Sequence, residues 1–132
     1  MSIDPLNPGP EALAFLSEWH LGILATHRSD HSIHQVPVGF TYEPENQLVR
    51  IITFAGSRKV KNIEGRPGHR VSVSSVDRGR WLTFEGRVEV TSSPDRIAEA
   101  VRRYSERYER AVEESADRVA IEIFVDRILG RV

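Results

Sequence analysis

Short segments in which every second residue is apolar recur along this chain and indicate β-strands. Between Ile33 and Tyr42, for example, Val36, Val38 and Phe40 fall on one face. Successive side chains of a strand point to opposite faces, so this alternation is typical of a strand with one side in the core. Six strands are predicted: His20–His27, Ile33–Tyr42, Leu48–Phe54, Arg70–Val76, Trp81–Thr91 and Arg118–Leu129.

Three other segments have the spacing of helices. The first two are Glu11–Trp19 and Arg58–Glu64, and the third begins at Ser93-Pro94-Asp95, where a hydroxyl residue precedes a proline and an acid. In the third helix Tyr104 and Tyr108 share a stripe with aliphatic residues, so we expect them in the core or at an interface.

The order of these elements predicts the fold class. Six short strands, mostly in hairpin order and with few helices, favour a mainly β, antiparallel barrel over a parallel α/β sheet. Residues 1–10 are rich in proline and asparagine and are predicted to form a flexible N-terminal arm. Residues 11–132 are long enough for a single domain with a substantial core.

Composition excludes several classes of protein. A net charge of −1 argues against a general nucleic-acid binder, which would carry a basic surplus. The chain has no cysteine, so disulfides and thiolate metal sites are excluded. No apolar run reaches the roughly 18 residues of a membrane span. We therefore expect a cytoplasmic protein that binds neither nucleic acid nor a membrane.

The two lysines of the chain mark the strongest candidate for a binding site. Lys59 and Lys61 lie in the stretch Gly56-Ser57-Arg58-Lys59-Val60-Lys61-Asn62, directly after a predicted strand, whereas the other sixteen basic residues are arginines. Three cations, a hydroxyl and a glycine at the start of a helical turn are typical of a phosphate site. The alternative at this point is a solvated basic turn that caps a short helix.

Side chains suited to acid–base chemistry or metal binding are scarce. His27, His31 and His34 cluster around a turn, but neighbouring residues are typical of an exposed hairpin tip, so no metal site is predicted. None of the common catalytic motifs is present, and no catalytic residue can be named. A cofactor is therefore expected to carry the chemistry.

Two stretches carry a resemblance to a known family. Ile51–Lys59, with Asn62-Ile63-Glu64 and Val71-Ser72-Val73, resembles the pyridoxamine 5′-phosphate oxidase-like family, and the likeness continues through Trp81–Val88. The resemblance implies a homodimeric split β-barrel with the cofactor in a groove between the subunits. Within the family, Gly56-Ser57-x-Lys59, Arg80-Trp81-Leu82 and Tyr104-x-x-Arg107-Tyr108 resemble the branch that uses the deazaflavin coenzyme F420, and most of all its biliverdin reductase group.

The resemblance also implies a set of cofactor-binding residues. The phosphate would be held by Ser57, Arg58 and Lys59, with Thr53 as a hydroxyl donor. The ring would lie along the strand at 37–40, and Trp81 would cover the cofactor from the neighbouring subunit. Whether Lys61 reaches the acidic tail of F420 or only faces water is left open. The full set is Pro37, Val38, Gly39, Phe40, Ile52, Thr53, Ser57, Arg58, Lys59, Lys61, Asn62 and Trp81.

The implied activity is an F420-dependent reductase that transfers a hydride from the reduced deazaflavin to a conjugated small-molecule acceptor such as biliverdin. The alternative is an FMN- or haem-binding protein of the same fold, either a flavin oxidoreductase or a non-catalytic cofactor or tetrapyrrole binder. Arg58 keeps FMN open, because the flavin oxidases carry an arginine at this position.

Overall fold

The computed structural model describes residues 2–132; Met1, the first residue of the predicted arm, lies outside the described residues. The described chain forms eight strands and three helices. The strands are β1 (Ser2–Ile3), β2 (Gly22–His27), β3 (Ile33–Val38), β4 (Thr41–Glu43), β5 (Leu48–Phe54), β6 (Arg70–Asp77), β7 (Arg80–Thr91) and β8 (Arg118–Arg131). The helices are α1 (Pro10–Ser17), α2 (Arg58–Glu64) and α3 (Pro94–Tyr108).

All pairings in the sheet are antiparallel, which confirms the predicted mainly β fold class. The strand order is β3-β2-β6-β7-β8-β5-β4, with β1 added to β8. Only Gly39 and Phe40 separate β3 from β4, the strands at the two edges. Two residues span at most about 7 Å, so the sheet must curl until its edges approach each other.

The strand count differs from the six predicted. One extra strand arises because the predicted strand Ile33–Tyr42 is interrupted at Gly39–Phe40, where the chain crosses from one edge of the sheet to the other. The other is β1, which lies in the predicted arm and pairs Ser2 with Leu129. The division into a flexible arm and a single domain stays a prediction.

A single cluster of apolar side chains fills the curled sheet. Phe15 of α1, Phe40, and Phe84 of β7 are fully buried in it, together with alternate residues of β8 such as Ile121 and Ile123. The other face of β8 is also covered, since Glu122 is only 2% exposed and is paired with Arg96 of α3. Among residues 2–132, no helix has the length and apolar character needed to cross a membrane.

The split in the barrel lies beside β5. The short strand β4 pairs with Leu48–Arg50 of β5 only, so the described residues provide no strand for Ile52–Phe54 on that edge. Across the resulting gap lie the last residues of β3 and the C-terminal part of α3. This gap, and not the interior of the barrel, is where a ligand-sized groove forms.

Candidate functional site

A groove of about 610 Å³ occupies the gap beside β5 and contains half of the residues predicted to bind a cofactor. Six predicted residues line it, from the end of β3, from β5 and from α2: Pro37, Val38, Gly39, Ile52, Thr53 and Lys59. Seven further residues line it that the sequence did not single out as ligand contacts: Phe54, Tyr104, Arg110, Ala111, Val112, Glu113 and Arg118.

Lys59 is the cation that the basic turn directs to this groove. Burial lowers the pKa of its ammonium below the usual lysine value, as expected when a charged group loses contact with water. Within residues 2–132 it forms no salt bridge. A partly buried cation without a carboxylate partner is well placed to bind an anion.

A pair of hydroxyl groups lies at the same end of the groove. The Thr53 hydroxyl donates to Ser57 Oγ at 3.4 Å, a long hydrogen bond that a better acceptor can replace. Thr53 is buried at the end of β5, and Ser57 is the residue that precedes α2. Together with Lys59 they form a polar end to the groove, and Pro37, Val38 and Ile52 provide apolar surface along it.

The other cations of the basic turn lie on a different surface. On α2, Lys61 and Asn62 follow Arg58 by one helical turn. These three residues line a separate pocket of about 630 Å³ with Arg28 and Arg66. The structure therefore divides the predicted cluster: Lys59 lies in the groove, whereas Arg58 and Lys61 lie in the second pocket. The helical period decides this, because residues 58, 61 and 62 share a face that residue 59 does not.

Asn62 has a structural partner. Its side-chain amide donates to Thr26 Oγ1 of β2 at 3.1 Å, and both side chains are buried. A buried amide must be hydrogen-bonded within the protein, so this contact joins α2 to the sheet.

Two more predicted residues lie outside the groove in the described chain. Phe40 is fully buried, with its ring 5.7 Å from that of Phe84, and so contributes to the core. Trp81, the second residue of β7, pairs with Val76 and is partly exposed on the outer side of the sheet. Trp81 would therefore reach a groove only as a contact from a neighbouring subunit, as the resemblance implies.

The wall of the groove above Gly39 is formed by Tyr104, which the sequence placed in the core or at an interface. The ring of Tyr104 covers Gly39 and packs on Tyr108, with ring centroids 4.8 Å apart. The helical stripe was correctly recognised, but its position at the edge of the core could not be seen from spacing alone. Tyr104 therefore has one side on Tyr108 and the other in the groove.

Positive charge predominates around the groove. Arg118 donates to the Glu113 carbonyl at 3.1 Å and lies over the ring of Phe54, 5.0 Å from its centroid. Behind the basic turn, burial and the charges of Arg28, Lys59 and Arg58 lower the pKa of His34. A neutral His34 adds no positive charge at neutral pH, which leaves Lys59, Arg110 and Arg118 as the cations facing a bound anion.

The arrangement suits a ligand that carries an anionic group at one end and a flat, largely apolar ring system at the other. Lys59, Thr53 and Ser57 offer charge and hydrogen bonds to the anion. Pro37, Val38 and Ile52 offer an apolar surface to the ring. No general acid or base with a dedicated partner lies among the described residues of the groove, so the chemistry must come from the ligand itself.

Comparisons with known proteins identify the family of the chain and several relatives. Residues 9–131 match the family model described as pyridoxamine 5′-phosphate oxidase. The F420H(2)-dependent biliverdin reductase of Mycobacterium tuberculosis (strain CDC 1551 / Oshkosh) is 47% identical over 120 residues, which cover 91% of this chain and 85% of that protein.

Solved structures agree with the fold. A protein described as an F420 reductase superposes with a TM-score of 0.72 at 27% identity, over 93% of this chain and 98% of its own. The conserved hypothetical protein Rv2991 from Mycobacterium tuberculosis superposes with a TM-score of 0.76 at 23% identity, over 91% and 81% of the two chains. With a family match across nearly the whole chain, this protein belongs to the pyridoxamine 5′-phosphate oxidase family.

Proposed function

We propose that this protein is an F420-dependent reductase that transfers a hydride from the reduced deazaflavin coenzyme to a conjugated small-molecule acceptor such as biliverdin. The observation that carries the proposal is the groove with Lys59 at one end, in a chain 47% identical to a protein named F420H(2)-dependent biliverdin reductase. The 120 matched residues span almost the whole of both chains, so the groove and its supporting strands are included.

The chemistry of the groove fits this coenzyme. Lys59 and the hydroxyls of Thr53 and Ser57 bind the phosphate, and the apolar side chains at the end of β3 and on β5 orient the ring. The coenzyme, when bound, supplies the hydride, and the protein supplies position and electrostatics. We assign the acceptor's proton to no side chain of the groove; it comes from solvent or from the acidic groups of the acceptor itself.

The structure of the basic turn leaves one of its three cations for the proposed phosphate site. Arg58 and Lys61 line the second pocket, so we assign the phosphate to Lys59 and assign neither neighbouring cation to it. This assignment also removes the argument for FMN that Arg58 provided, since a side chain in the second pocket does not distinguish the two cofactors. The cytoplasmic location expected from the composition stays a prediction.

A titration of the purified protein with F420 and, separately, with FMN tests the cofactor, and an assay with reduced F420 and biliverdin tests the reaction. We expect saturable F420 binding, a much weaker response to FMN, and oxidation of reduced F420 that depends on biliverdin. Tight binding without turnover would identify a non-catalytic cofactor binder. A response to FMN alone would redirect the assignment to a flavin protein.

We also propose that the protein is a homodimer, on the evidence of an uncovered apolar surface. On the outer side of the sheet, Ile23 lies beside Pro37 and Ser74, and Val76 lies beside Trp81. Val76 is 66% exposed and Ile23 39% exposed, which leaves apolar side chains uncovered on two inner strands of the sheet. Since Pro37 also lines the groove, pairing through this surface would bring Trp81 of the partner subunit towards the groove.

Val76→Asp is expected to convert the dimer to a monomer, because association would bury an unpaired charge from each subunit in an apolar interface. Analytical ultracentrifugation of the wild type and the variant measures the change. Leu6→Asp is the matched control, since Leu6 is 59% exposed but lies outside this sheet surface. A wild-type protein that sediments as a monomer would contradict the proposed dimer.

A further inference from the structure

Position 39 has room only for glycine, because the ring of Tyr104 occupies the space where a side chain would lie. A carbon added at its Cβ position would lie 2.5 Å from Cε2 of Tyr104 and 3.2 Å from Cε2 of Tyr108. The backbone of Gly39 does not have a positive φ, so its conformation is open to other residues. Only the tyrosine rings exclude a side chain there, and the space above this glycine is already filled.

The C-terminal turns of α3 also hold the peptide groups on either side of Phe40. The hydroxyl of Tyr108 accepts from the Phe40 N–H at 3.0 Å and donates to the His20 carbonyl at 2.8 Å. Arg107 donates to the Phe40 carbonyl and, at 3.0 Å, to the Glu18 carbonyl. Since residues 39 and 40 belong to no strand, these side chains satisfy backbone groups that a ladder would otherwise satisfy.

One side of the Tyr104 ring is therefore packed against the protein, and another side is open to the groove. Gly39 and Tyr108 lie against it, while the ring itself lines the groove with Pro37 and Ile52. Within residues 2–132 the Tyr104 hydroxyl has no hydrogen-bond partner, so packing alone holds the ring. A ligand ring entering the groove meets this aromatic face before it reaches the backbone of Gly39.

We propose that the Tyr104 ring, packed over Gly39, forms the aromatic surface against which the conjugated ring of the bound coenzyme packs. Gly39 affects binding only because it leaves room for the Tyr104 ring. This inference rests on the proposed function. It assigns a contact to a helix residue outside the basic turn. It also assigns Gly39, one of the predicted cofactor-binding residues, to the protein's own packing. Offset or edge-to-face packing of aromatic rings is the interaction expected.

A double-mutant cycle separates the two roles of Gly39. Gly39→Ala, Tyr104→Ala and the double variant are titrated with F420 beside the wild type, and thermal unfolding confirms that each is folded. In the wild-type background, Gly39→Ala should displace the tyrosine ring into the groove and weaken F420 binding about tenfold. In the Tyr104→Ala background the same change should alter the affinity less than about twofold, because the ring that clashes is gone.

Two further variants complete the design. Tyr104→Phe keeps the ring and should bind F420 within about twofold of wild type, whereas Tyr104→Ala should bind about fivefold more weakly. Gly79→Ala is the matched glycine control, because nothing lies within 4 Å of a carbon added there. It should leave the affinity unchanged.

The outcomes are distinct. If Gly39→Ala weakens binding equally in both backgrounds, the ligand itself approaches Gly39 and the inference is wrong. It is also wrong if Tyr104→Ala binds F420 as the wild type does. Either result, obtained with a wild-type protein that binds F420 and reduces biliverdin, leaves the proposed function intact. A wild-type protein that does not bind F420 overturns the proposed function and this inference together.

Discussion

Replacing Lys59 with alanine is expected to weaken the binding of F420 by about 30-fold, which is the range for losing a charge-assisted hydrogen bond to an anion. Lys59 is the lysine that lines the groove, and its ammonium is already partly removed from water, as the lowered pKa indicates. A partly desolvated cation loses little hydration when the phosphate arrives, so its contribution to affinity is larger than that of an exposed lysine. Fluorescence titration of the coenzyme measures the change.

Lys61→Ala is the matched control for this prediction. It removes the same charge from the same helix, two residues away, but from the second pocket. We expect its affinity for F420 to stay within about threefold of wild type, since only long-range, salt-screened attraction is lost. Equal losses in the two variants would show that the helix acts through its general charge, and an unchanged affinity in Lys59→Ala would contradict the phosphate assignment.

Phe40→Ala is expected to lower the free energy of unfolding by about 4 kcal/mol, the usual cost of removing a fully buried phenylalanine. Phe40 is 0% exposed, packs against Phe84, and carries the Arg107 guanidinium 4.7 Å above its ring. Its removal would leave a cavity under the crossing between β3 and β4. Denaturant unfolding followed by circular dichroism measures the loss.

Phe54→Ala provides the contrast, because Phe54 is 49% exposed and lines the groove. We expect it to change the free energy of unfolding by less than about 1 kcal/mol, since a half-exposed ring has less apolar surface to lose.

Phe40→Leu, which refills most of the core volume, should bind F420 like the wild type. If Phe40→Leu were as stable as wild type but failed to bind the coenzyme, Phe40 would be a ligand contact as the resemblance implied.

Because the cations of the basic turn are divided between two pockets, positive charge lies on both sides of α2. Arg58, Lys61, Arg28 and Arg66 surround the second pocket with one acidic residue, Asp30, whose carboxylate accepts from the backbone and hydroxyl of Ser32. These contacts lower the pKa of Asp30, so it remains ionised in neutral solution. The surface around α2 is therefore positive on both sides, although the whole chain carries a net charge of −1.

Much of the fold could be predicted from local patterns. The apolar alternation of Leu48–Phe54 and the helical turn Arg58–Glu64 were predicted with the bounds that the structure gives them. The strand Ile33–Tyr42 was predicted as continuous, although it is broken at Gly39–Phe40. Its alternation continues through the break, because Val38 and Phe40 are both buried, but Val38 ends β3 at one edge of the sheet and Phe40 directly precedes β4 at the other.

The sequence by itself determined which residues could form strands and which family the chain resembles, and it predicted an anion site after β5. These depend on residues that are close in sequence, for which spacing and side-chain chemistry are sufficient. Only the tertiary structure decided that Lys59 and Lys61 face different pockets, that Phe40 belongs to the core, and that Tyr104 lines the groove. Each of these depends on contacts between distant segments, such as Gly39 with Tyr104, which the curl of the sheet creates and no local pattern encodes.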